Sequence, residues 1–477
     1  MSALGVVLTL SMLVAVGALL QLLVLGVRRP IDGFSTAAEG FLLGPLLVGA
    51  GLWALGDIGL TSAAWLIFGL GVASLATTAW LIWRRPVSPS AELSVKSSAS
   101  DRFSIRGLNS AGRVAAVVLL LLLLTLLWQS ASLPILAWDA WHAWLDKSKA
   151  WFYAGRFLPL QDLMTWWQAP AGDTRFAIAA QYPQALPRVW AALQWTTGVW
   201  RDAHLASIWT LLWLATGILF HSAIRRYVAS GSAALCWVLG LLSLPMVLAH
   251  ASLAGYSDLW LAAALLACMH HGAEALRGQW RHAWLAGLYL LLLPAIKLEG
   301  AVYALLLAVA FVLAAMPVRW RYSTLGVVLA ALVVGVWLGG VLIPVPGLGT
   351  VGLKWGMISA PVVGELPLYW RGVGGRVLES MFLLPNWSLL WWLLPLGLWF
   401  GRRQWRAQHY QFALLALLAA AAFHFLLFCF TDAAAWAESL TSLNRLLLHV
   451  VPCWVWFVAT GFNRPQAPYG RAGQSAS

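Results

Sequence analysis

The chain has 477 residues, 61% of them hydrophobic and only 10% charged, with 32 tryptophans and a formal net charge of +13. A soluble globule of this length cannot carry so large an apolar excess, so the sequence reads as an all-α polytopic membrane protein. Its four cysteines, Cys236, Cys268, Cys429 and Cys453, fall in apolar runs without paired spacing, which argues against a disulfide framework or a zinc site.

Taken in chain order, the first apolar run, Leu4–Val27, lacks a basic leader and is followed by Arg28-Arg29, so it reads as a retained span rather than a cleaved signal. Further runs follow at Gly40–Leu55, Leu60–Trp83, Val114–Ser130, Leu205–Ala223, Ala233–Ala251, Leu259–His271, His282–Ala295, Ala301–Met316, Thr324–Ile343, Met381–Phe400, Phe412–Phe430 and Leu446–Gly461, about thirteen spans in all. Leu259–His271 and His282–Ala295 are short for a full crossing. They read as tilted, broken or re-entrant.

The arginine pairs set the orientation. Placing Arg28-Arg29, Arg84-Arg85, Arg225-Arg226, Arg277, Arg281, Arg319, Arg321 and Arg402-Arg403-Arg406 in the cytoplasm agrees with every alternation of these spans. Nineteen basic and five acidic residues then lie inside, against eleven and twelve outside, so the net charge is a topology signal and not a nucleic-acid footprint.

Four regions result. Residues 1–85 form a three-span N-terminal extension, and 86–113 a Ser-rich cytoplasmic linker. Residues 114–461 make the main transmembrane core, and 462–477 a disordered cytoplasmic tail. Within the core, 131–203 is a long outer loop with a short apolar run at Leu186–Gly198, and 343–379 a second outer loop dense in Gly and Pro.

Chemistry-bearing residues collect on the outer side. The segment Trp138–Lys149 is polar and Trp-rich directly after a span; as an α-helix it places Asp139, His142, Asp146 and Lys149 on one stripe beside Trp138, Trp141 and Trp144, suited to lying in the membrane interface. Gly255-Tyr256-Ser257-Asp258, Lys297-Leu298-Glu299-Gly300 and Thr441-Ser442-Leu443-Asn444-Arg445 sit at the same side of later spans. Ionisable groups beside lipid are costly and mark function or a wet cavity. A lysine and an arginine facing carboxylates suit a lipid-linked phosphate and an attacking hydroxyl, the cations neutralising the phosphate and a carboxylate taking the proton. Plainer roles exist for each: Asp139 as solvation of an interfacial helix, Asp258 as a helix cap, Lys297 as a partner of Glu299 or a snorkelling side chain, Arg445 as a headgroup anchor, and His270-His271 as a cytoplasmic interface pair.

At these residues the chain resembles bacterial membrane glycosyltransferases of the GT-C superfamily, relatives of protein mannosyltransferases and aminoarabinose transferases. Trp138-Asp139-Ala140-Trp141, Tyr182-Pro183 and the three outer motifs above carry the resemblance, over roughly Val114 to Gly461. It implies a GT-C-like bundle with outer interfacial helices, a polyprenyl-phosphate or diphosphate sugar donor, Asp139 in the acidic role, and Lys297 and Arg445 as phosphate ligands. The first outer loop has a single Asp139 with Ala140 beside it, so the paired-acid form of many members is missing and a divalent metal is left open.

The expected function is transfer of a sugar from a polyprenyl-phosphate donor to a glycan, lipid or protein acceptor at the outer face of a bacterial inner membrane. Asp139 is the expected base. Trp141, His142, Tyr182, Asp258, Glu299 and Asn444 are the expected substrate-binding residues, with membrane lipid as the surroundings and no other cofactor or nucleic-acid partner required. The rival from another class is a transporter or flippase of a lipid-linked glycan, which would place its essential charges nearer mid-membrane.

Overall fold

The computed structural model describes residues 2–26, 32–84, 107–168, 173–228, 230–345, 349–360 and 364–462. Three helices come first: α1 (Ser2–Leu25), α2 (Gly33–Ala54) and α3 (Leu60–Trp83). Asp32 starts α2 by accepting the N–H of Phe34. Gly40 and Gly44, one turn apart, meet α1 so closely that a side chain on either would collide with the backbone of Val14 or Leu13. Such small-residue spacing joins helices in lipid, where no hydrophobic effect drives them together.

Asn109, accepting from the N–H of Gly112, caps α4 (Ser110–Ser132), which therefore begins inside the expected linker. Most of that linker, and the tail beyond Phe462, lie outside the described residues. The segment expected as the first outer loop folds as a π-helix (Ala140–Leu145) running into α5 (Asp146–Ala154), then α6 (Leu163–Gln168) and α7 (Ala185–Thr197), with a parallel pair β1 (Leu160–Gln161) and β2 (Arg175–Phe176). The apolar run behind α7 packs against α1, α2, α3 and α5 and is buried along most of its length.

Next come α8 (Asp202–Ile224), α9 (Gly231–Leu242) and α10 (Pro245–Ser252), the last two meeting at a 66° bend that Pro245 opens. A helical hairpin follows, α11 (Asp258–Leu276) and α12 (Arg281–Ile296), then α13 (Glu299–Ala315) and α14 (Val318–Trp337). Gly300 makes the α12–α13 turn possible, because any side chain there would strike the carbonyl of Leu293.

The segment expected as the second outer loop carries regular structure. Strands β3 (Val341–Val345), β4 (Gly349–Lys354), β5 (Met357–Ala360) and β6 (Gly364–Pro367) form an antiparallel meander with Val341 opposite Leu353, Leu353 opposite Ile358 and Ile358 opposite Leu366. Trp355-Gly356 is the two-residue turn between β4 and β5, Gly356 standing at φ 70°. Branched residues alternating between the Gly and Pro positions favour pairing, so the all-α expectation needs this small sheet added. The expected span Met381–Phe400 is also interrupted: α15 (Gly374–Phe382) stops, Pro385–Trp387 turns, and α16 (Leu390–Gly401) resumes after Ser388 at φ 50°. The chain ends with α17 (Gln408–Phe430), α18 (Ala434–Glu438) and α19 (Ser442–Phe462).

Among the described residues nine helices are long and apolar enough to cross a membrane, or ten if α9 and α10 make one bent span, and α12 and α13 are shorter apolar helices. The protein is thus a multi-pass helical membrane protein. Its centre is α11 and α19, buried on nearly every face and packed on each other, with α12, α17 and α8 around them.

A polar knot ties the N-terminal helices to this centre. Glu39 of α2 is buried, accepts the hydroxyl of Tyr289 at 2.8 Å and lies 2.8 Å from His271 Nε2. His271 Nδ1 in turn lies 2.8 Å from His282 Nδ1. His271 is therefore buried among helices. From Asp258 to His271 α11 rises roughly 20 Å, at about 1.5 Å per residue, so the knot lies toward the opposite end of the bundle from Asp258.

Candidate functional site

Four segments distant in sequence meet at one end of the bundle. Asp258 opens α11, Lys297 follows α12, Glu299 opens α13, and Arg445 lies in the first turn of α19. Asp139 reaches them from the residue before the π-helix. Gly255 brings these parts together: it sits at φ 104°, in the left-handed region, and a side chain on it would press into Ala140 and Leu145. Ala140 is itself fully buried there, which explains why no second acid follows Asp139.

Asp258 is the hub. Its fully buried carboxylate receives Lys297 Nζ at 2.8 Å and His449 Nε2 at 2.8 Å on Oδ1, and Arg445 Nη2 at 3.1 Å on Oδ2. Ser257, at the cap position, makes no side-chain capping bond, and the Asp258 carboxylate serves these three partners, so its role differs from that of a simple cap. Lys297 also lies 3.3 Å from Glu299 Oε1. Burial pulls the Lys297 ammonium down, but Asp258 and Glu299 more than offset this and hold it above its ordinary value.

Arg445 is pinned from three sides. Nη1 donates to Asp139, Nη2 donates to Asp258, and the guanidinium lies over the ring of Tyr256 at 4.6 Å. Trp209 Nε1 fixes that ring's backbone by donating to the Tyr256 carbonyl at 2.7 Å, and His250 packs on its other neighbourhood with ring centroids 5.2 Å apart. Arg445 thus turns inward to carboxylates, unlike a headgroup anchor.

A chain of polar groups leads from the hub into the bundle. His449 Nδ1 lies 3.4 Å from Tyr303 Oη, which lies 2.8 Å from His424 Nε2. Facing a carboxylate, His449 Nε2 carries the proton, leaving Nδ1 to accept.

The phenol of Tyr182 stands within electrostatic reach of Glu299, Lys297, Arg445 and Asp139, and burial raises its ionisation above the ordinary range. Its loop is held by Lys147, a fully buried ammonium that donates to the carbonyls of Ala179 at 2.5 Å and Tyr182 at 3.4 Å. Burial pushes Lys147 down to about 7, with Asp146 partly opposing.

Of the residues expected at the site, Asp139, Tyr182, Asp258, Lys297, Glu299 and Arg445 come together here. The other three, Trp141, His142 and Asn444, make different contacts. Trp141 and His142 stack edge to face with ring centroids 5.1 Å apart, and Asn444 accepts the Ser380 hydroxyl at 2.6 Å, joining α19 to α15. The expected stripe on 138–149 also fails as a regular helix. The N–H of Asp146 bonds the Trp141 carbonyl five residues back, which breaks the 3.6-residue period, and Asp146 turns out to pair with Arg175. Trp144 and Lys147 point into protein while Trp138 and Trp141 stay exposed, so only part of the segment suits a membrane interface.

No family model matches the chain, and no curated protein or solved structure matches it either. The site therefore rests on its own geometry. Among the described residues no group of three or more His, Cys, Asp or Glu is placed to hold a metal ion. Sequence reading missed His449, Tyr303, His424 and Lys147. Only His449 left a signal, since it follows Arg445 by four residues and must share its helix face.

Proposed function

We propose that the protein is an inverting membrane glycosyltransferase with a GT-C-like bundle, moving a sugar from a polyprenyl-phosphate donor to an acceptor at the outer face of a bacterial inner membrane. The observation that carries this reading is the meeting of Lys297 and Arg445 with Asp139 and Asp258 at one end of the bundle. In the reaction the acceptor oxygen attacks the anomeric carbon, a new C–O bond forms, and the bond to phosphate oxygen breaks with its electron pair. The acceptor proton passes to Asp139. Arg445 and Lys297 hold the charge that develops on the leaving phosphate.

The finer organisation belongs to the same reading. It has about thirteen spans, counting the broken α15–α16 segment and the two short helices, with residues 1–85 as an extension and 114–461 as the catalytic core. The arginine pairs mark the cytoplasmic side and the ionic cluster faces outward.

A transporter of a lipid-linked glycan is the second reading, because polar groups lead from the ionic cluster into the bundle, from His449 to Tyr303 to His424. One experiment separates the two. Purified protein in vesicles, given a polyprenyl-phosphate-linked sugar and a crude acceptor fraction, should release free polyprenyl phosphate. Movement of the intact lipid between leaflets without cleavage would make it the transporter.

A further inference from the structure

Arg445 is incompletely satisfied. A guanidinium has five N–H donors, and here Nη1 and Nη2 serve Asp139 and Asp258 while Nε is buried with no acceptor. The Nε–H shares its edge with Nη2, which Asp258 occupies, so the position an incoming phosphate oxygen can take over is the one on Nη1.

The charges allow no simple addition. Asp139, Asp258 and Glu299 stand against Lys297 and Arg445, one negative charge in excess. A phosphate placed on top would at least double that excess where surrounding protein screens poorly. One carboxylate has to withdraw. Asp258 is fully buried with three partners, and its departure would strand Lys297 and His449. The Asp139 side chain is 46% exposed and holds Arg445 through one oxygen.

The backbone next to Asp139 is also built to shift. A π turn winds with one more residue than an α turn, and relaxing the Ala140–Leu145 segment by that residue rotates the chain before it by about 100°. Asp139 would swing off Arg445 while α5 stays in place.

We propose that Asp139 is a displaceable plug: the phosphate of the lipid donor takes its place on Nη1 of Arg445, and the released carboxylate becomes free to accept the acceptor's proton. Donor binding therefore precedes deprotonation of the acceptor, and the protein has no free base until its donor is seated. The inference rests on the glycosyltransferase reading, but its binding half can be measured without any transfer.

The probe is farnesyl phosphate, titrated into the detergent-solubilised full-length protein at fixed ionic strength and followed by tryptophan fluorescence. Asp139→Asn and Asp139→Ala should each bind it at least about fivefold more tightly than the wild type, since a competing ion pair and a like charge are both gone. Unchanged or weaker binding in both variants would overturn the plug and leave a phosphate site standing. Absence of binding in the wild type and both variants would overturn the phosphate site and the plug together.

Discussion

Replacing Asp139 by Asn should slow sugar transfer by about 10²- to 10⁴-fold, the usual cost of losing a general base. The substitution keeps the shape and the hydrogen bond to Arg445 but removes a half-exposed carboxylate that both reaches the cations and can face an incoming hydroxyl. Folding should barely change, because an ion pair this exposed contributes about 0–1 kcal/mol. The check is an initial rate of donor consumption beside a thermal melt in detergent. Wild-type turnover with a wild-type melt would remove Asp139 from the chemistry.

Asp258→Ala should behave in the opposite way and unfold the site. It strips partners from Lys297, His449 and one arm of Arg445 in a fully buried position, and breaking a buried pair from one side costs about 3–5 kcal/mol. Asp258→Asn keeps an acceptor oxygen and should lose less. Thermal melts of the two variants, compared with Asp139→Ala, should rank Asp258→Ala far below the others. If Asp258→Ala melts like Asp139→Ala, the hub does not organise this end of the bundle.

The sequence made the existence of the site visible but not its wiring. Charged motifs at the same side of alternating spans could be placed together because lipid excludes unpaired charge, and Asp139, Asp258, Lys297, Glu299 and Arg445 do meet. Which carboxylate meets which cation was not legible, since Asp139 and Arg445 lie 306 positions apart and no local pattern links them. Local backbone departures were hidden for a related reason. The π turn at Ala140–Leu145 follows the packing of Ala140 on Gly255, a contact made only in the folded bundle. The β3–β6 meander was masked by its Gly and Pro, which also describe loops. The stripe through His142 assumed a regular period, which the π turn breaks. Glu39, just before the expected span Gly40–Leu55, carries no motif of its own, and its contacts with His271 and Tyr289 exist only in three dimensions.

In the proposed reaction Lys297 and Arg445 share one lipid phosphate. Both already share Asp258, so a single anion can reach each of them. The most direct measurement is the affinity for a polyprenyl phosphate of the wild type, Lys297→Ala, Arg445→Lys and the double variant. Arg445→Lys keeps the charge and loses the planar fork, so on this account it should still weaken binding about tenfold, Lys297→Ala should do the same, and the double variant should lose less than the product of the two. Wild-type affinity in both single variants and in the double would contradict it.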